Sequence, residues 1–215
     1  MLWPSICVDD FFINPEEVVK FANNLEYAKD PSGRWPGERS QSLHLVDQNF
    51  FNYVGKKFLS VLYPISYRHI NYQMHLCFQR ISPKYKSIGW VHHDDEQEVT
   101  AICYLSKHKN CGTSIYNYKG VYPVIKNLEK KEKQYKTLSV KNEDLLAKEN
   151  NENYEETISF KSKFNRVIMF DSMQHHAAHQ FLEEGVQEDR LTLIGFFSQI
   201  QSPALRHHGT ETRRL

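Results

Sequence analysis

Apolar residues recur at helical spacing in the first third of the chain. The segment 14–17 (NPEE) begins one helix, because asparagine suits the N-cap, proline the first helical position and acids the first turn. The apolar face of this helix carries Val18, Val19, Phe21, Ala22 and Leu25. A second apolar series runs from Phe50 to Leu62, and residues 30–42 form a turn-rich loop between the helices. Residues 6–12 predict a short strand ahead of both helices.

The pattern changes after Pro64, where short runs rich in β-branched and aromatic residues replace the helical spacing. Polar or glycine-containing turns bound each run, which is typical of strands. The predicted strands are residues 69–81, 98–105, 113–118, 156–160, 166–170 and 190–198. Helices followed by many short strands predict an α+β domain with a β-sandwich or barrel at its centre.

One segment, residues 126–153, is dense in lysine, glutamate and asparagine and has few apolar residues. Such a composition is typical of a solvated helix or an extended surface insertion. Long insertions between strands also cover pockets, so a lid over a site is the functional interpretation.

The composition limits the class of protein. The 215 residues are 40% hydrophobic and 25% charged, and the net charge is +1. This balance fits one soluble globular domain and gives no overall signal for nucleic acid or an anionic membrane. The four cysteines form no CxxC pair, which favours a reducing, cytoplasmic location. We find no signal peptide and no apolar run of transmembrane length.

Potential metal ligands are concentrated in residues 89–96 (GWVHHDDE). In an extended chain His92 and Asp94 point to one face, and His93 and Asp95 point to the other. Either pair has the H-x-D spacing that lets an imidazole and a carboxylate bind one metal. A solvated polar loop explains the same letters unless a third ligand comes from elsewhere in the chain.

Residues 165–181 (NRVIMFDSMQHHAAHQF) supply candidates for that third ligand. A predicted strand ends there in a turn and is followed by His175, His176 and His179. Two histidines and one carboxylate leave coordination positions open, which suits non-haem Fe(II) and O₂ chemistry. Structural zinc, in contrast, normally has four protein ligands.

Arg190 begins a predicted strand that is otherwise almost entirely apolar. A buried arginine requires an anion to compensate for its desolvation. That anion is either a structural aspartate or glutamate, or a ligand carboxylate bound by the planar guanidinium group.

The chemistry-bearing residues occur in a characteristic order. The chain has H-x-D at 92–94, Tyr-Leu at 104–105, Gly-Thr at 112–113, an NR…F-x-S-x-x-x-H series at 165–176 and R-L-x-L at 190–193. This order resembles the 2-oxoglutarate/Fe(II)-dependent oxygenases, most of all the prolyl-hydroxylase-like branch and small bacterial and phage oxygenases. The segment WPGER, which ends at Arg39, is similar to an upstream element of some of these proteins.

The resemblance implies a double-stranded β-helix, or jelly roll, with flanking N-terminal helices in a single oxygenase domain over residues 1–215. Residues 1–68 would be helical support, 69–200 the core with a charged insertion at about 119–160, and 201–215 a tail. The implied cofactors are Fe(II), 2-oxoglutarate as cosubstrate and O₂. The implied reaction is hydroxylation of an unidentified substrate with release of succinate and CO₂.

The resemblance also implies a role for individual residues. The metal ligands would be His92, Asp94 and His176, with His175 as the alternative to His176. The residues that would bind 2-oxoglutarate are Arg190, Tyr104 and Thr192. The residues that would contact the substrate are Trp35, Arg39, Gln73 and His75.

Other functions remain compatible with the pattern. A metal-dependent hydrolase or isomerase on a cupin-like barrel would use the same three ligands without 2-oxoglutarate, but it leaves Arg190 unexplained. A non-catalytic binding module of the same fold is a further alternative. The lysines of residues 126–148 would suit nucleic acid, although the glutamates among them argue against it. A small molecule, a peptide or a modified nucleotide would each be compatible as the substrate.

Overall fold

Two antiparallel β-sheets form the centre of the protein. The computed structural model describes residues 3–85, 88–120, 131–132, 147–182 and 185–201. In chain order the strands in these ranges are β1 (Ile6–Val8), β2 (Tyr27–Lys29), β3 (Glu38–Ser40), β4 (Asn71–Ile81), β5 (Val99–Tyr104), β6 (Thr113–Tyr118), β7 (Tyr154–Phe160), β8 (Arg166–Asp171), β9 (His175–Ala178) and β10 (Arg190–Gln201). The larger sheet has the order β1-β8-β5-β10-β4-β3-β2, and the smaller sheet has the order β7-β6-β9.

Helices cover one face of the larger sheet. They are α1 (Pro15–Asn23), α2 (Leu43–Val46) and α3 (Gln48–Leu62), and a short 3₁₀ turn follows at Tyr67–His69. Asp47 caps α3, because its side chain accepts a hydrogen bond of 2.9 Å from the backbone N–H of Phe50. Phe58 of α3 is fully buried and contacts Phe197 of β10 edge-to-face, with ring centroids 6.1 Å apart.

The alternation of side chains along β10 separates two environments. Leu191, Leu193 and Phe197 point to the helical side and join the main hydrophobic core. Arg190, Thr192, Ile194 and Phe196 point to the opposite side and line a cavity between the sheets. A second, smaller apolar cluster of Tyr104, Ile115, Ile168 and Phe170 packs at this inner side. The inner face of the larger sheet therefore combines apolar side chains with the buried polar residues that line the cavity.

The prediction of N-terminal helices followed by many strands is confirmed, and the strands pair in an antiparallel fashion. The first 68 residues do more than support the core, since β1, β2 and β3 join the larger sheet. Residues 154–160 of the expected charged insertion form β7 and pair with β6. The rest of that insertion, apart from residues 119–120, 131–132 and 147–153, lies outside the described residues, as does the tail after residue 201. In the described part of the chain, no helix has the length and apolarity needed to cross a bilayer.

Candidate metal centre

His92, Asp94 and His176 come together where the two sheets meet. His92 precedes β5, and His176 lies in β9 of the smaller sheet. Their backbones form an isolated antiparallel bridge, in which the N–H of each residue donates to the carbonyl of the other, at 3.1 Å and 2.7 Å. One ligand atom from each of the three side chains lies within 4.8 Å of the others. The backbone bridge therefore fixes the separation of two ligands that are far apart in sequence.

Both imidazole rings are oriented by backbone carbonyls. The Nδ1 of His92 is 2.7 Å from the carbonyl oxygen of Trp90, and the Nδ1 of His176 is 2.9 Å from that of Gln174. Since a carbonyl oxygen only accepts, each Nδ1 carries the proton, and a neutral ring then has its lone pair on Nε2. Burial, reinforced by the charge of Lys131, lowers the pKa of His92 well below its ordinary value and keeps the ring neutral at physiological pH.

The carboxylate of Asp94 faces both Nε2 atoms. Its oxygens are 3.7 Å from Nε2 of His92 and 3.4 Å from Nε2 of His176. Burial acts to raise the pKa of Asp94, but the interactions with His176 and His92 outweigh burial and lower it, so the group stays ionised. Thr100 fixes the carboxylate by donating a hydrogen bond of 3.2 Å to Oδ2. Three electron-pair donors thus converge. One metal cation could bind to all three, and its charge would balance that of the carboxylate.

The turn between β8 and β9 places His176 in this site. The side chain of Asp171 accepts hydrogen bonds from the backbone N–H groups of Met173 and Trp3, at 2.9 Å and 2.7 Å. An aspartate that bonds to the backbone two residues ahead is typical of a tight turn. His175, the alternative distal ligand, points to the other face of β9, where its ring contacts His93 at 5.2 Å. The structure therefore brings His176, and not His175, to His92 and Asp94.

The segment that carries His92 is held from outside the two sheets. Asn151 donates a hydrogen bond of 2.8 Å to the carbonyl of Gly89 and accepts one of 2.9 Å from the N–H of Val91. Asn150 donates a further bond of 3.1 Å to the carbonyl of Val91. A Cβ at Gly89 would overlap the backbone of Ala178, so only glycine permits this close approach of the segment to β9. The C-terminal end of the charged insertion thus positions a candidate metal ligand.

Arg190 lies at the start of β10 with only 5% of its surface exposed. Its Nε and Nη2 donate to the carbonyl oxygen of Cys111 at 3.3 Å and 3.1 Å. The preceding acid, Asp189, pairs instead with Arg80 at 3.6 Å. Among the ion pairs of the described residues none includes Arg190. Burial lowers the pKa of the guanidinium group, which is the direction expected for a buried cation without a carboxylate beside it.

Thr192 lies next to Arg190 on the inner face of the strand. It is fully buried, and its hydroxyl oxygen has no hydrogen-bond partner. Tyr104 is placed differently from the expectation, because the described residues lining the cavity do not include it. Its hydroxyl group donates a hydrogen bond of 2.9 Å to Thr113. Thr113 lines the cavity in its place, a role that the sequence analysis missed.

One cavity of about 270 Å³ joins the three ligands to Arg190 and Thr192. Of the four residues expected to contact the substrate, Trp35 and Arg39 line it. Gln73 and His75 are not among the described lining residues, because they lie at the exposed start of β4. Gln79, which is on the same face of that strand but deeper in the sheet, lines the cavity instead. Lys131 also lines it and belongs to the charged insertion, for which a lid over a site was one interpretation.

The segment WPGER packs closely against β4, and its glycine permits this close approach. Gly37 has a positive φ of 68°, and a Cβ there would overlap the backbone of Arg80. Gln79 donates a hydrogen bond of 2.6 Å to the carbonyl of Pro36, which holds the turn in place. Arg39 then lies over the ring of Trp35, with its guanidinium carbon 4.4 Å from the ring centroid.

The fold is shared with solved structures of proteins that bind 2-oxoglutarate. HygX from Streptomyces hygroscopicus, solved with nickel and 2-oxoglutarate bound, aligns with a TM-score of 0.57 and 13% identity over 91% of this chain and 83% of that one. SnoN, a non-haem α-ketoglutarate-dependent epimerase from nogalamycin biosynthesis, aligns with a TM-score of 0.56 and 12% identity over 91% and 77%. EvdO2 from Micromonospora carbonacea var. aurantiaca aligns with a TM-score of 0.53 and 8% identity over 95% and 90%. At such identities the likeness shows the fold alone.

A family of unknown function (DUF6445) matches residues 3–197. The chain therefore belongs to this family. No curated protein matches the chain at the level of sequence.

Proposed function

We propose that the protein is a 2-oxoglutarate- and Fe(II)-dependent oxygenase that hydroxylates its substrate. The two sheets would form the double-stranded β-helix, or jelly roll, of a single oxygenase domain spanning residues 1–215. One observation carries the proposal: the convergent His92, Asp94 and His176 share a cavity with a buried arginine that has no carboxylate partner among the described residues. The prolyl-hydroxylase-like branch remains a prediction from the motifs.

The three ligands fit Fe(II). Two neutral imidazoles and one carboxylate on one side of a metal leave positions for a chelating cosubstrate and for O₂. When bound, the iron and 2-oxoglutarate supply the oxidation, in which O₂ and 2-oxoglutarate give succinate, CO₂ and one oxygen atom for the substrate. The carbonyls of Trp90 and Gln174 keep both rings in the ligating tautomer throughout.

Arg190 and Thr192 would bind the distal carboxylate of 2-oxoglutarate. The Nη1 group of Arg190 and the hydroxyl of Thr192 have no acceptor among the described residues, whereas Nε and Nη2 bond to Cys111. A carboxylate at this position would neutralise the buried guanidinium and satisfy the threonine hydroxyl. The apolar side chains Ile102, Ile194 and Phe196 around the cavity exclude water from the bound groups.

The test is metal-dependent binding of 2-oxoglutarate. Equilibrium dialysis should give one iron per chain, and calorimetry should show 2-oxoglutarate binding only when a divalent metal is present. His176→Ala should lose both, whereas His175→Ala, which removes the neighbouring histidine of the same strand, should keep both. Binding of 2-oxoglutarate that is equally tight without metal would contradict the proposal.

The alternatives predict different results. A metal-dependent hydrolase or isomerase would bind the metal but would not bind 2-oxoglutarate. A non-catalytic module would bind both and form no succinate.

Because SnoN is an epimerase, the outcome of the oxidation is a separate question. Hydroxylation adds one oxygen atom to the product and epimerisation adds none, so the product mass distinguishes them. We propose a small molecule as the substrate, in keeping with the volume of the cavity.

A further inference from the structure

The charged residues of the cavity are unequal in sign. Four cations line it, namely Arg34, Arg39, Lys131 and Arg190, whereas Asp94 is the one acid among the described lining residues. Such an excess of positive charge in a cavity attracts anions and repels cations. The cavity is therefore expected to favour anionic ligands.

Two of the four cations already have a partner or a role. Arg34 forms a two-point ion pair with Asp30, with Nε–Oδ2 and Nη2–Oδ1 distances of 3.0 Å and 3.1 Å. Arg190 is assigned to the distal carboxylate of 2-oxoglutarate. Fe(II) and doubly charged 2-oxoglutarate neutralise each other, and Asp94 offsets Arg190. The two remaining cations are Lys131, whose charge is stabilised by Asp94, and Arg39, which forms no ion pair among the described residues.

Arg39 lies against two aromatic rings. Its guanidinium group lies 4.4 Å from the ring centroid of Trp35 and 5.4 Å from that of Phe196. The Nε of Arg39 is buried and has no hydrogen-bond partner, and the same is true of the indole Nε1 of Trp35. Buried donors of this kind are destabilising unless an acceptor reaches them. Two neighbouring side chains of one cavity wall thus lack an acceptor.

Lys131 adds positive potential beside Arg39. It lines the same cavity, and its charge and that of Arg39 influence each other. Burial lowers the pKa of Lys131 to about 8, so the ammonium group remains largely protonated at neutral pH. An anion near Arg39 would relieve the repulsion between these two cations.

We propose that the substrate carries an oxyanion, a carboxylate or a phosphate, that binds to Arg39 and Trp35. This inference rests on the proposed function, because it assigns Arg190 and the metal to 2-oxoglutarate and leaves Arg39 for the substrate. The planar guanidinium offers two parallel donors to an oxyanion, and the indole N–H supplies a third. The rings of Trp35 and Phe196 restrict the guanidinium to one orientation before the substrate arrives.

Three probes that share a ring and differ in charge test the proposal. Phenyl phosphate, benzoate and benzyl alcohol are titrated by calorimetry into the protein loaded with 2-oxoglutarate and with Ni(II) in place of Fe(II). At least one of the two anions should bind at least tenfold more tightly than benzyl alcohol, and the tighter one identifies the oxyanion. Equal affinity for all three would overturn the proposal.

Substitutions of Arg39 test whether the anionic probes bind at this residue. Arg39→Gln should weaken anion binding at least tenfold, as expected for the loss of a charge-assisted contact. Arg39→Lys should give an intermediate loss, because it keeps the charge and removes the planar donor pair. Arg166→Gln is the matched control, since that cation pairs with Asp9 near the surface and is not among the described residues that line the cavity, and the affinity should stay within twofold of wild type. An anion affinity within twofold of wild type in both Arg39 variants would overturn the proposal.

The same titration on the metal-free protein separates the two proposals. If 2-oxoglutarate shows no metal-dependent binding but anion binding still depends on Arg39, the proposed function fails and the oxyanion site stands. If 2-oxoglutarate binds with the metal and Arg39→Gln leaves anion binding unchanged, the oxyanion site fails and the proposed function stands.

Discussion

Replacing Arg190 with methionine should weaken the binding of 2-oxoglutarate strongly and change the stability of the protein little. The side chain is buried, it bonds to the carbonyl of Cys111, and no ion pair of the described residues includes it. Loss of the two hydrogen bonds should cost about 1–3 kcal/mol. Removal of a desolvated charge offsets this loss, since the desolvation penalty is on the order of several kcal/mol per ion. The free energy of unfolding of metal-free Arg190→Met should therefore fall by less than about 1 kcal/mol, or rise.

The affinity for 2-oxoglutarate should fall sharply in the same variant. A charge-assisted contact contributes about 1.5–3 kcal/mol, which corresponds to roughly a 10- to 150-fold weaker complex. Calorimetric titration of 2-oxoglutarate into the metal-loaded protein gives the affinity, and urea unfolding without metal gives the stability. Arg166→Met is the control, because Arg166 begins the neighbouring strand β8 and pairs with Asp9 near the surface at 2.6 Å. It should leave the affinity unchanged.

A structural role for Arg190 predicts the reverse. The variant would then unfold several kcal/mol more easily, as is typical when a buried ionic partner is lost. Its affinity for 2-oxoglutarate would remain that of wild type. This pair of results would refute the assignment of Arg190.

Three further predictions test other parts of the account. Asn151→Ala should weaken metal binding about tenfold, as is typical for residues that orient ligands, whereas Asn153→Ala, which loses only exposed bonds, should not; equal metal affinities would contradict this role. Gly37→Ala should lower the free energy of unfolding by more than about 1 kcal/mol, because φ is positive there, and should weaken anion binding at Arg39; an unchanged melting temperature would argue against the strained turn. The ion pairs of Asp9 lower its pKa from 3.8 to about 2, so its stabilising effect is present above 3.8 and is lost as the pH falls through about 2. The difference in unfolding free energy between wild type and Asp9→Asn should therefore disappear at low pH, and a difference independent of pH would be inconsistent with this.

Local patterns predicted the longer elements well. Strand β6 has the predicted bounds of residues 113–118, and α3 follows the apolar spacing that ends before Pro64. Strand β3 lies in residues 30–42, which were expected to be a loop, and β2 lies just before that segment and was not predicted, because three residues are too few to show a period. Strand β9 was also missed, since its pairing depends on the distant strand β6 rather than on its own sequence.

Motifs and the alternation of side chains predict candidate residues of the site, but they do not specify which residues line the cavity. Gln79 lies on the same face of β4 as Gln73 and His75, but which of these residues lines the cavity depends on where that strand meets the smaller sheet, and alternation does not specify this. Thr113 belongs to the Gly-Thr motif and Lys131 to the charged insertion, but the sequence did not single out either residue as a cavity residue, because their place in the cavity follows from tertiary packing.

The central claim is that His92, Asp94 and His176 hold one iron that 2-oxoglutarate also chelates. Anaerobic mixing of the protein with Fe(II) and 2-oxoglutarate tests it directly through the visible metal-to-ligand charge-transfer absorption. The account predicts that the band appears in wild type and in His175→Ala and is absent in His176→Ala. Iron bound by the wild-type protein without this band would contradict it.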